Sequence, residues 1–197
     1  MPLLSGYLTR ARLSRVSQHL SGVVMDVGCG HGELLDFIPL QVERVVLVDR
    51  SPERRARVEQ RQATAGIPVE FVQFDIDQTP WNRSFERVDT LVMAAILEHL
   101  KHPGETLRQF KEVVKPDGRL VVTTPTPAGG RLHWVASYLH LTYAEAANEH
   151  EHFYGRQKLL NLLWNCGYEV KRYERFLMGF NQLVVAKPVE RVATRHD

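Results

Sequence analysis

Cysteine is nearly absent: the 197 residues include only Cys29 and Cys166, far apart in the chain and outside any C-x-x-C pair. That argues against a disulfide framework and a thiolate-rich zinc site, and makes a reducing cytoplasm the expected compartment. Long apolar runs are also missing. None approaches the ~20 residues that span a bilayer, and the start MPLLSGYLTRARLSR has too few consecutive apolar residues for a signal peptide, so no membrane partner is expected. Charge of one sign is lacking as well: 25 Lys and Arg face 23 Asp and Glu, for a net charge of +2. A dedicated nucleic-acid binder concentrates basic residues on one face, so a nucleic-acid partner is not favoured. What remains is 44% hydrophobic and 24% charged residues, with nine histidines. A single domain spanning 1–197 fits this composition and is long enough to bury roughly two-thirds of its unfolded surface.

No internal repeat or low-complexity stretch occurs, and short β-branched runs alternate with amphipathic segments, the pattern of βαβ units. Strands are predicted at 23–27, 45–49, 70–74, 88–93 and 120–124. All but the third are almost wholly apolar, as parallel strands covered on both faces are. Leu13, Val16 and Leu20 mark a helix ahead of the first strand, and Leu34, Leu35 and Ile38 share a helical face after it. Leu107, Phe110, Val113 and Val114 repeat at helical spacing before KPDG, which is expected to stop that helix. A last stripe, Leu159, Leu162, Leu163 and Cys166, is expected to end at Gly167 in a C′ role. Beyond it, strands near 169–176 and 182–187 are joined by the short MGFN turn and must run antiparallel. The expected fold class is α/β: a doubly wound, mostly parallel seven-stranded sheet with a C-terminal antiparallel hairpin.

The densest chemical signal is VVMDVGCGHGELL, a strand running into Gly28, Gly30 and Gly32 and then into an expected helix. Glycines at such a turn let the backbone approach a ligand, and a helix N-terminus favours a carboxylate or other anion. Dinucleotide sites read G-x-G-x-x-G, whereas here Asp26 stands two residues before the first of three glycines at alternate positions. A pyrophosphate would be repelled by Asp26. A ligand carrying both an ammonium and a carboxylate would accept it.

This D-x-G-x-G-x-G turn resembles the first motif of the class I, Rossmann-like S-adenosyl-L-methionine-dependent methyltransferases. RVVLVDRSP, FVQFDID, RVDTLVMAAILEHLKHP, LRQFKEVVKPDGRLVVTTP and HFYGRQKLLNLLWNCGYEV extend the similarity over nearly the whole chain. The resemblance implies S-adenosyl-L-methionine as methyl donor. It places donor contacts at Asp26, Gly28, Cys29, Gly30 and Gly32, at Asp49 and Arg50 for the ribose, at Asp75 and Ile76 for the adenine, and at Ala94 for the methionine ammonium. A carboxylate suits the ribose, since it accepts two hydrogen bonds from a vicinal diol. Other readings stay open: a merely tight glycine turn, Asp49 or Ser51 as a helix cap, and Asp75 or Asp77 capping the DQTPW turn. Asp89 reads as structural, and Gly155 stands where the family often has a capping Ser or Thr.

Methyl transfer from a sulfonium is an in-line displacement that chiefly requires positioning, and a hydroxyl acceptor must also lose a proton. His99 and His152 are the candidate catalytic groups, with His150 a third, because imidazole titrates near neutrality. Each has an ordinary alternative as a packed or solvated side chain. Residues 126–152, with Trp134, Tyr138 and Tyr143, read as an acceptor-site lid beside Phe153 and Tyr154, or as an irregular connection. The expected reaction is O-methylation of a small, partly apolar organic molecule. The alternative is an RNA or tRNA methyltransferase, including the metal-assisted 2′-O type, which Glu98, His99 and His152 resemble. There the first Glu of E-x-x-E-H is Ala95, so no metal ligand is assigned. The five arginines between Arg50 and Arg61, interleaved with Glu53 and Glu59, predict a solvated helix face. A nicotinamide-dependent oxidoreductase and a non-catalytic donor-binding protein are the remaining rivals, the first lacking its glycine pattern.

Overall fold

The computed structural model describes residues 3–78, 80–81, 84–130 and 152–189. Of the expected lid only residues 126–130 and His152 are therefore described; Trp134, Tyr138, Tyr143 and His150 lie outside. In chain order the elements are α1 (Leu3–Ser17), β1 (Gly22–Val27), a 3-10 turn (Glu33–Phe37), β2 (Val42–Asp49), α2 (Glu53–Ala65), β3 (Val69–Gln73) and β4 (Val88–Ala94). A second 3-10 turn (Leu97–His99), α3 (Pro103–Val113), β5 (Val114–Pro125), α4 (Arg156–Asn165), β6 (Tyr168–Phe176) and β7 (Asn181–Pro188) follow.

One seven-stranded sheet results, in the order β3-β2-β1-β4-β5-β7-β6. β1 to β5 pair in parallel, and β7 inserts antiparallel between β5 and β6. The period-two alternation of each strand divides the apolar side chains between two cores. Met25, Val27, Val46, Val48, Leu120 and Val122 face Leu107 and Phe110 of α3 and Leu159 and Leu163 of α4. Val24, Val45, Leu47, Val92 and Val121 face Leu13 and Val16 of α1, Val58 of α2, and Leu34 and Leu35. Asp89 is structural, as read: its carboxylate accepts the Val23 amide at 2.8 Å and the Lys115 ammonium at 2.8 Å, tying together β1, β4 and β5.

Two expectations are corrected. Leu34, Leu35 and Ile38 do not form an α-helix: only the 3-10 turn Glu33–Phe37 is present, and Ile38 is already extended. Pro39 follows at once and disfavours the helical conformation in the residue before it. KPDG stops α3 as expected, but Val114, read as part of the helical stripe, already begins β5. Lys115 to Gly118 belong to β5, where the register moves from Val88↔Val114 to Thr90↔Arg119, so the extra residues bulge within the strand. The C-terminal hairpin closes through the Gly179 amide on the Phe176 carbonyl and the Phe180 amide on the Leu177 carbonyl, each at 3.1 Å. Leu177 and Met178 there take positive φ of 51° and 56°.

Candidate active site

The carboxyl edge of β1, β2 and β3 opens into a cavity of about 550 Å³. That lies within the roughly 300–1,000 Å³ of small-molecule sites. At its floor the chain leaves β1 through Gly28, whose φ is 69° and whose missing Cβ would come within 2.7 Å of the Ile96 side chain. The Gly28 and Cys29 amides both donate to the Val48 carbonyl, at 2.8 and 3.1 Å, fastening the turn to β2. Asp49 completes the fastening: one carboxylate oxygen accepts the Gly30 amide at 3.0 Å, the other the Ser51 amide at 2.9 Å. Asp49 thus shapes the glycine loop and still has lone pairs facing the cavity it lines.

The far wall is Phe74, Asp75, Ile76 and Asp77, the chain beyond β3. Asp75 Oδ1 accepts the Asp77 amide at 3.1 Å, and Asp77 accepts the Lys101 amide at 3.0 Å, joining this wall to the loop after β4. Behind it Trp81 donates from its indole to the Ile76 carbonyl at 3.2 Å, within an edge-to-face group with Phe74, Phe85 and Phe110. Ile96, His99 and Leu100 supply the third wall.

Of the residues expected to hold the donor, Gly28, Gly30, Asp49, Arg50, Asp75 and Ile76 line the cavity, as does the candidate base His99. Asp26, Cys29, Gly32 and Ala94 lie behind it rather than in its lining. Asp26 is buried, and the lost hydration, with Glu33 and Asp49 close by, pushes its carboxyl up to about 8. Burial, with the Asp26, Asp49 and Glu33 carboxylates close by, pushes the Cys29 thiol far up. Gly32, at φ 75°, makes room for α2, since a Cβ would meet Val58 at 3.3 Å. Ala94 closes β4, and Ala95 after it holds a positive φ of 56° with its amide on the Thr123 carbonyl at 2.9 Å.

His152 is exposed and lines a separate groove with Pro103, Tyr154 and α4, while its backbone amide donates to the Glu98 carbonyl at 2.9 Å. The two candidate bases are therefore not brought into one cavity. Among the described residues no cluster of three acidic, His or Cys side chains with metal-binding geometry forms, Glu98, His99 and His152 included. Sequence reasoning missed Arg54 and Ser51, which also line the cavity. Arg54 donates to His31 at 2.8 Å instead of joining a solvated face, and Arg61 pairs with Asp36. Ser51 does not cap α2: its hydroxyl bonds Glu53, and the capping position is Pro52.

A doubly wound sheet with an acid-lined cavity at the carboxyl edge, reached through a glycine turn, defines the class of S-adenosyl-L-methionine-dependent methyltransferases. The donor set fits: a cation-accepting carboxylate behind the turn, a carboxylate after β2 and a mixed apolar and acidic wall after β3. Residues 5–173 match the family described as "Methyltransferase domain", and the chain belongs to that family. It is an enzyme with S-adenosyl-L-methionine as its cofactor. The chain is 28% identical over 123 residues to the ubiquinone biosynthesis O-methyltransferase of Salmonella paratyphi A, covering 62% of this chain and 49% of that one. It is 32% identical over 117 residues to a Shewanella tRNA U34 carboxymethyltransferase, covering 56% and 34%. The chain thus spans about half the length of the first relative and a third of the second. Among solved structures, Burkholderia thailandensis 1,6-didemethyltoxoflavin-N1-methyltransferase, with its namesake and S-adenosylhomocysteine bound, superposes with a TM-score of 0.69 at 19% identity, covering 94% and 81%. No helix among the described residues is long and apolar enough to cross a membrane.

Proposed function

We propose that this enzyme methylates a hydroxyl of a small organic molecule, with Asp49 and Arg50 at the donor's ribose, Asp75 and Ile76 at its adenine and Asp26 behind its ammonium. The bound donor supplies an electrophilic methyl group on a sulfonium. The chain's part is to orient that group, exclude water and receive the acceptor's proton. The observation that carries the reading is the position of His99, in the cavity wall beyond the end of β4, where an imidazole can take a proton from a hydroxyl beside the donor. The ubiquinone-pathway relative acts on a small molecule, and the Burkholderia structure holds a small heterocycle.

The tRNA-modifying relative supports a second reading, in which the acceptor is RNA. Against it, many basic side chains are matched by acids on the same surface: Arg44 with Glu86 at 2.5 Å, Arg61 with Asp36, Lys171 with Glu169 at 2.7 Å and Arg172 with Glu174 at 2.8 Å. Filter binding at 50 and 200 mM salt separates the two. An RNA enzyme making six or more phosphate contacts loses about a thousandfold in affinity between them, whereas a small-molecule enzyme retains no tRNA at either. Incubation of a metabolite extract with methyl-labelled donor then identifies the acceptor. An exclusively labelled RNA fraction would overturn the small-molecule assignment. Full activity after chelator treatment is expected, and its loss, restored by a divalent ion, would revive the metal-assisted reading.

A further inference from the structure

Outside glycine, positive φ among the described residues occurs at Leu177 and Met178 in the C-terminal hairpin and at Ala95, at 56°, directly after β4. A side chain in the left-handed region is strained, and such strain persists where a site requires the turn it makes. Here the Ala95 amide stays on the Thr123 carbonyl at 2.9 Å, so the chain keeps hold of the sheet edge while it turns. Ile96 follows at φ −122° and ψ −29° and comes to lie against Gly28. A Cβ on Gly28 would stand 2.7 Å from both Cγ1 and Cδ1 of Ile96 and 3.1 Å from its Cβ, so the isoleucine fills the space that the glycine leaves.

That position is fixed from several sides. The His99 amide donates to the Ile96 carbonyl at 3.0 Å and the Leu100 amide to the Leu97 carbonyl at 3.4 Å, closing the 3-10 turn. Leu97 and Glu98 are buried, and the His152 amide donates to the Glu98 carbonyl at 2.9 Å, pinning the turn to the chain ahead of α4. Ile96 itself packs against the core that contains Val27, Val48 and Leu97, and it lines the donor cavity together with His99. A β-branched side chain held in this way has little rotamer freedom with which to give ground.

In S-adenosyl-L-methionine the sulfur joins the amino-acid chain to the ribose. With Asp26 behind the ammonium and Asp49 at the ribose, the sulfur passes over the stretch between them: Gly28 is two residues beyond Asp26 and two before Gly30, whose amide Asp49 holds at 3.0 Å. The group to be transferred then lies between that point and His99, along the turn that Ile96 opens. In-line transfer forms the bond from acceptor oxygen to alkyl carbon while the carbon–sulfur electron pair returns to sulfur, and the hydroxyl proton goes to His99. We propose that Ile96 is the specificity-determining residue for the alkyl group on the donor: its side chain leaves room for a methyl on the sulfur and none for a longer chain. This rests on the donor placement above and deepens it by naming what sets the size of the group carried.

Binding of S-adenosylmethionine, of its S-ethyl counterpart S-adenosylethionine and of S-adenosylhomocysteine, which carries no transferable group, is measured by calorimetry for wild type, Ile96→Val and Ile96→Ala. No acceptor is needed. One methylene in an apolar pocket is worth about 10- to 200-fold, so wild type is expected to bind the ethyl compound at least about tenfold more weakly than the methyl compound. Ile96→Ala is expected to bring the two within about threefold, Ile96→Val to narrow the gap by about threefold or more, and neither to change S-adenosylhomocysteine binding by more than about threefold. A merely structural role for Ile96 would weaken all three ligands in step. Equal binding of the two sulfonium compounds by wild type, an ethyl penalty that survives in Ile96→Ala, or a loss shared by all three ligands overturns the inference alone. Should Ile96→Ala not fold, the wild-type ratio and Ile96→Val decide by the same standard. A wild type that binds none of the three overturns the donor site on which the inference rests.

Discussion

Asp26 holds its proton in the folded chain well above the ordinary carboxylate range. Its folded-state value of about 8 lies above the ordinary 3.8 because it is buried with Glu33 and Asp49 as its neighbours. The native chain therefore binds more protons than the unfolded chain between those values. The stability this contributes is fully present below the ordinary value and is lost as pH rises through about 8. A cationic ligand reverses the preference by favouring the ionised carboxylate. Donor affinity is expected to rise between about pH 6 and 8 in calorimetric titrations, and to flatten in Asp26→Asn, which also loses the stability slope. An unaltered profile in that variant would remove Asp26 from the donor's surroundings. Asp49 makes a different claim, since it holds the glycine loop as well as the cavity: Asp49→Ala is expected to weaken S-adenosylhomocysteine by about 1–3 kcal/mol, on the order of 5- to 150-fold. The places of these two acids were readable because each sits at a fixed offset from a strand end. Arg54, His31 and Trp81 were not, because they reach the site through packing between elements that no local pattern encodes.

Helix α4 begins without a side-chain cap. Gly155 occupies the N-cap with φ −69° and ψ 158°, values any residue adopts, and a Cβ placed there would meet nothing within 4 Å. Serine at that position gains a hydroxyl for the orphan amides of the first turn and loses glycine's unfolded-state freedom, together about 0.5–1 kcal/mol. Gly155→Ser is expected to raise the melting temperature by about 1–4 °C with unchanged methyl transfer, read by calorimetry; no rise would show that the amides are already satisfied by water. The same economy of local signals explains where element prediction succeeded. The five predicted strands became β1 to β5, four of them written as apolar runs, and Gly167 ends α4 at φ 83°, because covered parallel strands and glycine C-caps leave plain marks. The crossover after β1 was overread as a helix since Leu34, Leu35 and Ile38 satisfy a 3-10 turn as well as an α-helical stripe, and only Pro39 tells them apart. Register escaped entirely: nothing in KPDG says that the chain bulges within β5 rather than leaving the sheet.

Across the whole molecule the donor site is where separate parts of the chain meet without being joined. Its lining comes from the turns after β1, β2, β3 and β4, which are tied to one another by hydrogen bonds such as the Gly30 amide on Asp49 and the Lys101 amide on Asp77. None of these turns brings a complete site in the unfolded chain, so a ligand filling the cavity binds the native state alone. Linkage then sets its effect: S-adenosylhomocysteine at a hundred times its dissociation constant adds about 2.7 kcal/mol, which for a chain of this size raises the melting temperature by about 5–10 °C. The shift is expected to grow with the logarithm of ligand concentration, to shrink in Asp49→Ala at equal concentration, and to be absent with NADH, whose pyrophosphate would meet the Asp49, Asp75 and Asp77 carboxylates that line the cavity. Thermal scans at three ligand concentrations check all of this together. An NADH shift equal to that of S-adenosylhomocysteine would mean that the three carboxylates do not govern what the cavity admits, and the division of the lining into ammonium, ribose and adenine contacts would fall with them.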